Sequence, residues 1–421
     1  MKSLPLLLTA WLAASGVVLA NEGVAIGGDV DSLLAFARER HPEFTAMRHE
    51  AAAAAARVES AGALPDPMIG VELRDFTNEA RDASANLLPA RVGSTRYTIK
   101  QALPWFGKRD LKREIATAGA SEAEGRAAAV WNDLAWQIKQ TYAQHHLHLA
   151  SLRYGRENLG LLEQLEQIAQ VRYAGGLVPQ QDVIRAQTER TVLRSELAML
   201  EGDNEQTAAR MHNLLGSLNG VRLLAPERLR KLPPAAQLDS AVLEARLIER
   251  NPRLASDVAR IEGADKARAL TYRNRYPDLS VGVAAMQERS RVASYDLMFE
   301  INIPLQQDSR RAQEFEAERM LDAARSRREA TLNQARAELA ESLTALRTAR
   351  RVEELVSTRL LPQAELMLQS ALAGYETGQV DFATVLGAQR QIRKAKEDLV
   401  RARVNQQLRL ADIERAIGED L

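Results

Sequence analysis

Arg172-Tyr-Ala-Gly-Gly-Leu-Val-Pro-Gln-Gln-Asp-Val-Ile-Arg-Ala-Gln187 and Gly374-Tyr-Glu-Thr-Gly-Gln-Val-Asp-Phe-Ala-Thr-Val-Leu-Gly-Ala-Gln389 are two versions of one segment. Tyr173 returns as Tyr375, Gly176 as Gly378, Val178 as Val380 and Gln187 as Gln389, always after the same step of 202 residues. Each copy lies between two long polar stretches. Glycine supplies the left-handed residue that ends one helix and turns the chain into the next. Both copies therefore read as tips of helical hairpins, at 173–178 and 375–380.

On either side of the tips the plan repeats. A helix is expected from Lys108 to about Arg172, with Val130, Leu134, Ile138, Tyr142, Leu149 and Leu152 at helical spacing. At ~1.5 Å per residue this is a rod on the order of 100 Å. A second helix returns from Pro179 to Leu215. The second hairpin occupies 309–417, where Leu332, Leu339 and Leu346 keep a coiled-coil spacing. Gly160 and Pro362 stand at the same 202-residue step and are both poor helix formers, so both rods are expected to bend or loosen before the tip.

Ahead of each hairpin the period changes. A helix over 31–63, interrupted at Pro42, stops at Leu64-Pro65-Asp66-Pro67. Alternation then marks strands at 67–76 and 95–103, joined by a polar loop over 77–93. The second repeat gives strands at 279–286 and 295–303. Asn251-Pro252 answers His41-Pro42, and Ile417-Gly418 answers Leu215-Gly216. The expected organisation is a first repeat over 21–216, a linker with limited structure over 217–239, and a second repeat over 240–421. The fold class is mainly α with a small β part.

Lys+Arg and Asp+Glu balance at 56 each, which gives no field for nucleic acid. Aromatics are only 5%, so a single thick globular core is not expected. Residues 1–20 read as a secretory signal peptide: Lys2, an apolar run, then small residues ending at Ala20. The apolar run is too short for a spanning helix. With no Cys in the chain, disulfides and an acylated N-terminal Cys are excluded.

In the last strand Tyr295, Leu297, Phe299, Ile301 and Ile303 share one face, while Asp296, Met298, Glu300 and Asn302 share the other. Such a sheet can cover a protein core with its polar side in water. It can also face lipid outside and water inside, in an outer-membrane barrel. The neighbouring helices are long and polar and leave little to cover so much apolar sheet, which favours the barrel. Four strands cannot close one, so several copies must share it. Three copies give twelve strands, within the range of known barrels, and their hairpins side by side would enclose a helical tube.

The chain resembles the TolC-type outer-membrane factors over essentially its mature length. The tandem repeat, the Tyr-x-x-Gly tips and Val385-Leu386-Gly387-Ala388-Gln389 carry the resemblance. Leu64-Pro-Asp-Pro67 and Gln101-Ala-Leu-Pro-Trp-Phe-Gly-Lys108 are similar to the heavy-metal CzcC/CusC-like branch. The resemblance implies a homotrimeric duct in a Gram-negative outer membrane, with a 12-stranded transmembrane β-barrel and a periplasmic α-barrel closed at its tip when idle. It implies docking to a periplasmic adaptor and, through it, to an inner-membrane resistance-nodulation-division (RND) pump. Tyr173, Gly175, Gly176, Tyr375 and Gly378 match the adaptor-contacting region. The family archetype gates through carboxylates after the second tip. Thr384 and Gly387 stand at those positions here, with Asp381 one turn nearer the tip and Asp182 at the matching place of the first repeat.

No phosphate loop or nucleophile elbow is present, and neither an enzyme activity nor a cofactor is expected. His145 and His148 share a helix face and are weak candidates for a metal site. The plainer reading is packed or solvated helix histidines, since tight binding slows release from a duct. Met68, Met286 and Met298 lie in or beside strands and are read as ordinary barrel residues rather than a thioether track. Asp182 and Asp381 are either gate carboxylates or acids at helix starts. A multidrug or type I secretion duct, and an exported coiled-coil scaffold, are the alternative functions.

Overall fold

The structure, a computed structural model, describes residues 24–78, 84–89, 91–216, 221–226 and 228–421. The expected signal peptide lies outside the described residues. The chain runs β1 (Val24–Ile26), α1 (Val30–Arg40), α2 (Pro42–Ala61), β2 (Met68–Arg74), β3 (Ser94–Leu103), α3 (Lys108–Ala174), α4 (Gln180–Leu214) and β4 (Val221–Leu223). It continues with α5 (Ser240–Arg250), α6 (Pro252–Arg273), β5 (Asp278–Glu288), β6 (Arg291–Asn302), α7 (Gln307–Leu355), a π-helical turn (Val356–Leu360), α8 (Leu361–Glu376) and α9 (Phe382–Ile417).

Local chemistry sets the repeated joints. Pro42 and Pro252 open α2 and α6, where a missing N–H costs nothing. The preceding residues cap those helices: His41 Nδ1 accepts from Phe44 N, and Asn251 Oδ1 accepts from Arg253 N and Leu254 N. The far end of each hairpin then lands on its joint. Gly216, at φ 68°, abuts Pro42, and Gly418, at φ 86°, abuts Pro252. A Cβ on Gly418 would stand 2.6 Å from Pro252 Cδ and 2.7 Å from Arg250 O.

The four strands form one antiparallel sheet in the order β2-β3-β5-β6. Ile69 pairs with Ile99, Ile99 with Val283 and Val283 with Leu297, so one row of the register is apolar from edge to edge. β2 and β6 are the edges, and among the described residues no element pairs with their outer sides. β5 and β6 run closer to each other than the sequence suggests. Their expected limits, 279–286 and 295–303, give way to a two-residue turn at Arg289 and Ser290, with Arg289 at φ 55°. The polar run Gln287–Ser294 hid it, because a turn carried by a non-glycine residue leaves no Gly or Asn to read.

The helices bury their apolar stripes in separate clusters along the molecule rather than in one core. Ile138, Leu33 and Leu215 anchor one between the first hairpin and α1. Leu343, Leu247 and Ile417 anchor its counterpart in the second repeat. Segment 217–239 carries more structure than expected: β4 pairs in parallel with β1, and Arg230 binds Glu414, which also takes Lys139 Nζ at 2.8 Å. Three-residue strands fall below what alternation can reveal.

The expected bend is half right. Pro362 lies just beyond the π-helical turn, where the wider ring relieves its clash with the preceding turn. Ser357 and Thr358 hydroxyls both turn back to the Glu354 carbonyl. α3, in contrast, is continuous through Gly160, because glycine keeps its N–H and costs only about 1 kcal/mol in a helix.

Gly418→Ala is expected to lower the melting temperature of the helical circular-dichroism signal, through both the Pro252 clash and the left-handed backbone. Gly387→Ala, in open space within α9, should raise it or leave it unchanged. Equal effects of the two would contradict the packing described.

Candidate functional site

Two regions gather chemistry, the polar face of the sheet and the paired tips. On the sheet, Arg96 and Lys100 of β3 reach Asp296 and Glu300 of β6, the first pair at 3.3 Å. They cross β5, where Gly282 stands opposite Lys100, Met286 opposite Arg96, and Ala284 lies between the two on the same face. Met298 Sδ accepts from Arg96 at 3.2 Å. Its sulfur is thus engaged by a cation. The opposite face holds Ile69, Val71, Ile99, Tyr295, Leu297, Phe299 and Ile301, with Ile69 and Tyr295 each 77% exposed.

The tips share one backbone design. Leu177 N bonds Arg172 O and Gly176 N bonds Tyr173 O; Gln379 N bonds Gly374 O and Gly378 N bonds Tyr375 O. This paired closure needs a left-handed residue, supplied at φ 71° by Gly176 and at φ 75° by Gly378. Gly175 is in ordinary geometry and donates to Val171 O.

The side chains part company. Tyr173 is 46% exposed, with Val171 and Leu177 exposed beside it. Tyr375 is 3% exposed, against Phe382 at 5.5 Å between ring centroids. Arg172 of the first tip lies over the Tyr375 ring at 4.6 Å and donates to the Tyr375 carbonyl at 2.6 Å. Tyr375 Oη finds no hydrogen-bond partner among the described residues, and burial pushes its pKa up. Arg172 was not singled out from the sequence. The signal lay in a broken repeat, since Gly374 stands where the second copy would need the arginine.

The acids also differ. The 202-residue step aligns Asp381 with Pro179 and Asp182 with Thr384, so the two carboxylates are not counterparts. Asp381 caps α9: its Oδ1 accepts from Thr384 N at 2.9 Å and Thr384 Oγ1 at 2.6 Å, and these bonds hold its carboxyl below the usual range. Pro179 at the head of α4 offers no such acceptor. Asp182, one turn inside, is buried, and burial raises its pKa; Asp381 adds to the rise and Arg185 opposes it. Asp182, Asp381 and Arg185 therefore share one electrostatic environment. Farther along, Arg390 binds Glu189 and Arg393 binds Glu196, fastening α9 to α4.

His145 is buried in α3, and burial, then His148 and His146, lowers its pKa, so it stays neutral near pH 7. Among the described residues no three His, Cys, Asp or Glu side chains gather as a metal site.

A family model described as "Outer membrane efflux protein" matches residues 33–217 and 243–419. The chain is 22% identical to the cobalt-zinc-cadmium resistance protein CzcC of Cupriavidus metallidurans, over 79% of this chain and 76% of that one. Among solved structures it is similar to CusC, with TM-score 0.79 and 20% identity over 94% of this chain and 93% of that chain. It is also similar to the outer membrane protein VceC of Vibrio cholerae, with TM-score 0.78 and 17% identity over 93% and 96% of the two chains.

The acids predict opposite pH responses. Asp381 contributes stability that is present above the ordinary Asp value near 4 and is lost as pH falls through its depressed one. Asp182 weighs against folding increasingly as pH rises through its raised value. At pH 7, Asp381→Ala should speed hydrogen exchange of amides 382–386, and Asp182→Asn should slow exchange of amides 183–186. In acid the second difference should vanish and the first should shrink, since protonated Asp381 loses its charge but keeps an acceptor oxygen.

Proposed function

Because the chain belongs to the outer membrane efflux protein family, we propose that it is the outer-membrane duct of a tripartite pump, a passive homotrimeric conduit that carries heavy-metal cations out of the cell. The observation that carries the reading is a sheet with an uncovered apolar face and two unpaired edges, set at one end of two long helical hairpins. At about 1.5–3 kcal/mol per fully buried side chain, leaving that face in water forfeits on the order of 10 kcal/mol, as much as a typical protein's whole stability. Lipid removes the cost. Pairing β6 of one copy with β2 of the next removes both edges and yields the twelve-stranded barrel. β6, with twelve residues, tilted about 40° at about 3.4 Å per residue, reaches roughly 30 Å along the barrel axis, a membrane thickness.

Conduction on this reading needs no reacting group. The ion-paired face of the sheet lines the wide upper pore. Each cation there is matched by a carboxylate, so the wall holds neither sign of ion tightly. The hairpin tips face the inner membrane, and Tyr173, Gly175 and Gly176 offer the periplasmic adaptor an exposed surface that includes apolar Val171 and Leu177. Gly378 shapes the second tip, while Tyr375 acts from inside it. Asp182, Asp381 and Thr384 form the candidate gate, at the narrow end where three copies converge. The RND pump behind the adaptor supplies energy and selection. The metal assignment draws on the likeness to CzcC, whose name specifies cobalt, zinc and cadmium.

A strain lacking the gene should become sensitive to cobalt, zinc or cadmium while keeping its resistance to lipophilic drugs; drug sensitivity alone would favour the multidrug duct. A soluble monomer without detergent would favour the scaffold and end the proposal. His145→Ala/His148→Ala should leave metal resistance unchanged, and Asp381→Asn should alter single-channel conductance or cation preference.

A further inference from the structure

All four junctions between strand and helix lie at one end of the sheet, and they combine an aromatic shelf with unneutralised cations. Trp105 stacks on Tyr276, centroids 5.5 Å apart and planes 6° from parallel, and meets Phe106 edge-on. Phe106 is 81% exposed, at the end of a strand whose apolar face is bare. Charges surround this shelf, and several cancel. Lys108 Nζ binds Asp278, Arg275 binds Glu314, and Glu114 pairs with Lys266. Lys112, Arg113 and Arg273 have no ion pair among the described residues, and all three are exposed. Arg273 holds its guanidinium beside Gly107, between Phe106 and Lys108. Lys112 and Arg113 lie within the first two turns of α3, less than ~10 Å below the strand end along the helix. Asp66, in the turn before β2, and Asp110 are acids of this end that have no ion pair among the described residues.

We propose that this collar binds anionic glycerophospholipid headgroups of the periplasmic leaflet, with the aromatic shelf seated at the hydrocarbon boundary and Lys112, Arg113 and Arg273 on the phosphates. The inference rests on the barrel reading, which places the sheet in the bilayer and the helices below it. Three features favour a lipid occupant over a protein one. The shelf is continuous with the lipid-facing side of the sheet. Stacked Trp and Tyr suit an interface with one apolar and one wet side. Positive charge at headgroup depth complements anionic lipid.

The test uses the full chain, purified as the trimer and incubated in detergent with equal amounts of phosphatidylglycerol, phosphatidylethanolamine and lipopolysaccharide. Retained lipid is then measured by mass spectrometry. Wild type should retain phosphatidylglycerol severalfold over phosphatidylethanolamine. In Lys112→Gln/Arg113→Gln/Arg273→Gln the ratio should fall by about fivefold or more. The charge-preserving Arg113→Lys/Arg273→Lys should keep it. Where the triple variant yields no trimer, Lys112→Gln alone, at an exposed helical position, should still lower the ratio. Lipid retained in the mixing ratio, enrichment of lipopolysaccharide instead, or unchanged preference in the variants would overturn the proposal. Insertion of the same samples into phosphatidylethanolamine vesicles, read as a heat-resistant trimer, separates the two claims. Wild type that inserts without lipid preference sinks the collar alone, and wild type that never inserts sinks the barrel and the collar with it.

Discussion

An apolar face that none of the described residues covers governs this molecule. Ile69, Ile99, Val283 and Leu297 continue one greasy row across four strands, and both edges of the sheet stay open. Packing within one protomer cannot satisfy either condition, because the helices that leave the sheet run away from it. Their own apolar residues are consumed in thin clusters strung along the rods. On the proposed reading, hydrocarbon takes the first condition and sister subunits the second. The opposite face answers a different demand: cations of β3 meet carboxylates of β6 across β5, past Gly282 and Ala284. One surface is apolar and the other charged, and the pleat separates them by a single residue.

What the sequence disclosed was whatever had a period or a recurring step. The strands showed as alternation, the hairpins as helical spacing, and the joints as repeated X-Pro and Gly pairs at Pro42, Pro252, Gly216 and Gly418. What it withheld was pairwise. β1 and β4 are three residues each and meet across nearly the whole first repeat. Arg230 and Lys139 converge on Glu414 from segments with no common pattern. The turn at Arg289 carries no glycine. Gly160 and Pro362 looked equivalent as poor helix formers, but only proline removes a donor, and only there does the helix change its ring size.

The two tips show how a duplicated segment diverges without losing its backbone. Both keep the left-handed glycine and the same closing bonds. One has Arg172, and the other has Gly374 in its place, so the first tip grips the second and not the reverse. One helix begins on Pro179 and the other on Asp381 with Thr384. The same step along the chain therefore yields a buried, reluctant acid in one copy and an exposed, well-solvated cap in the other. Sequence comparison of the repeats marked where they agree, and the candidate site lies where they do not.

The π-helical turn above Pro362 makes the two long descending rods mechanically unequal. α3 is a single uninterrupted column from the sheet end to its tip. Its partner in the second repeat carries one five-residue stretch of looser winding. Under a lateral load the column resists along its whole length, while curvature in the other collects at residues 356–360. The two hairpins, alike in plan, thus differ in where bending costs least: at one fixed height in the second, and nowhere in particular in the first.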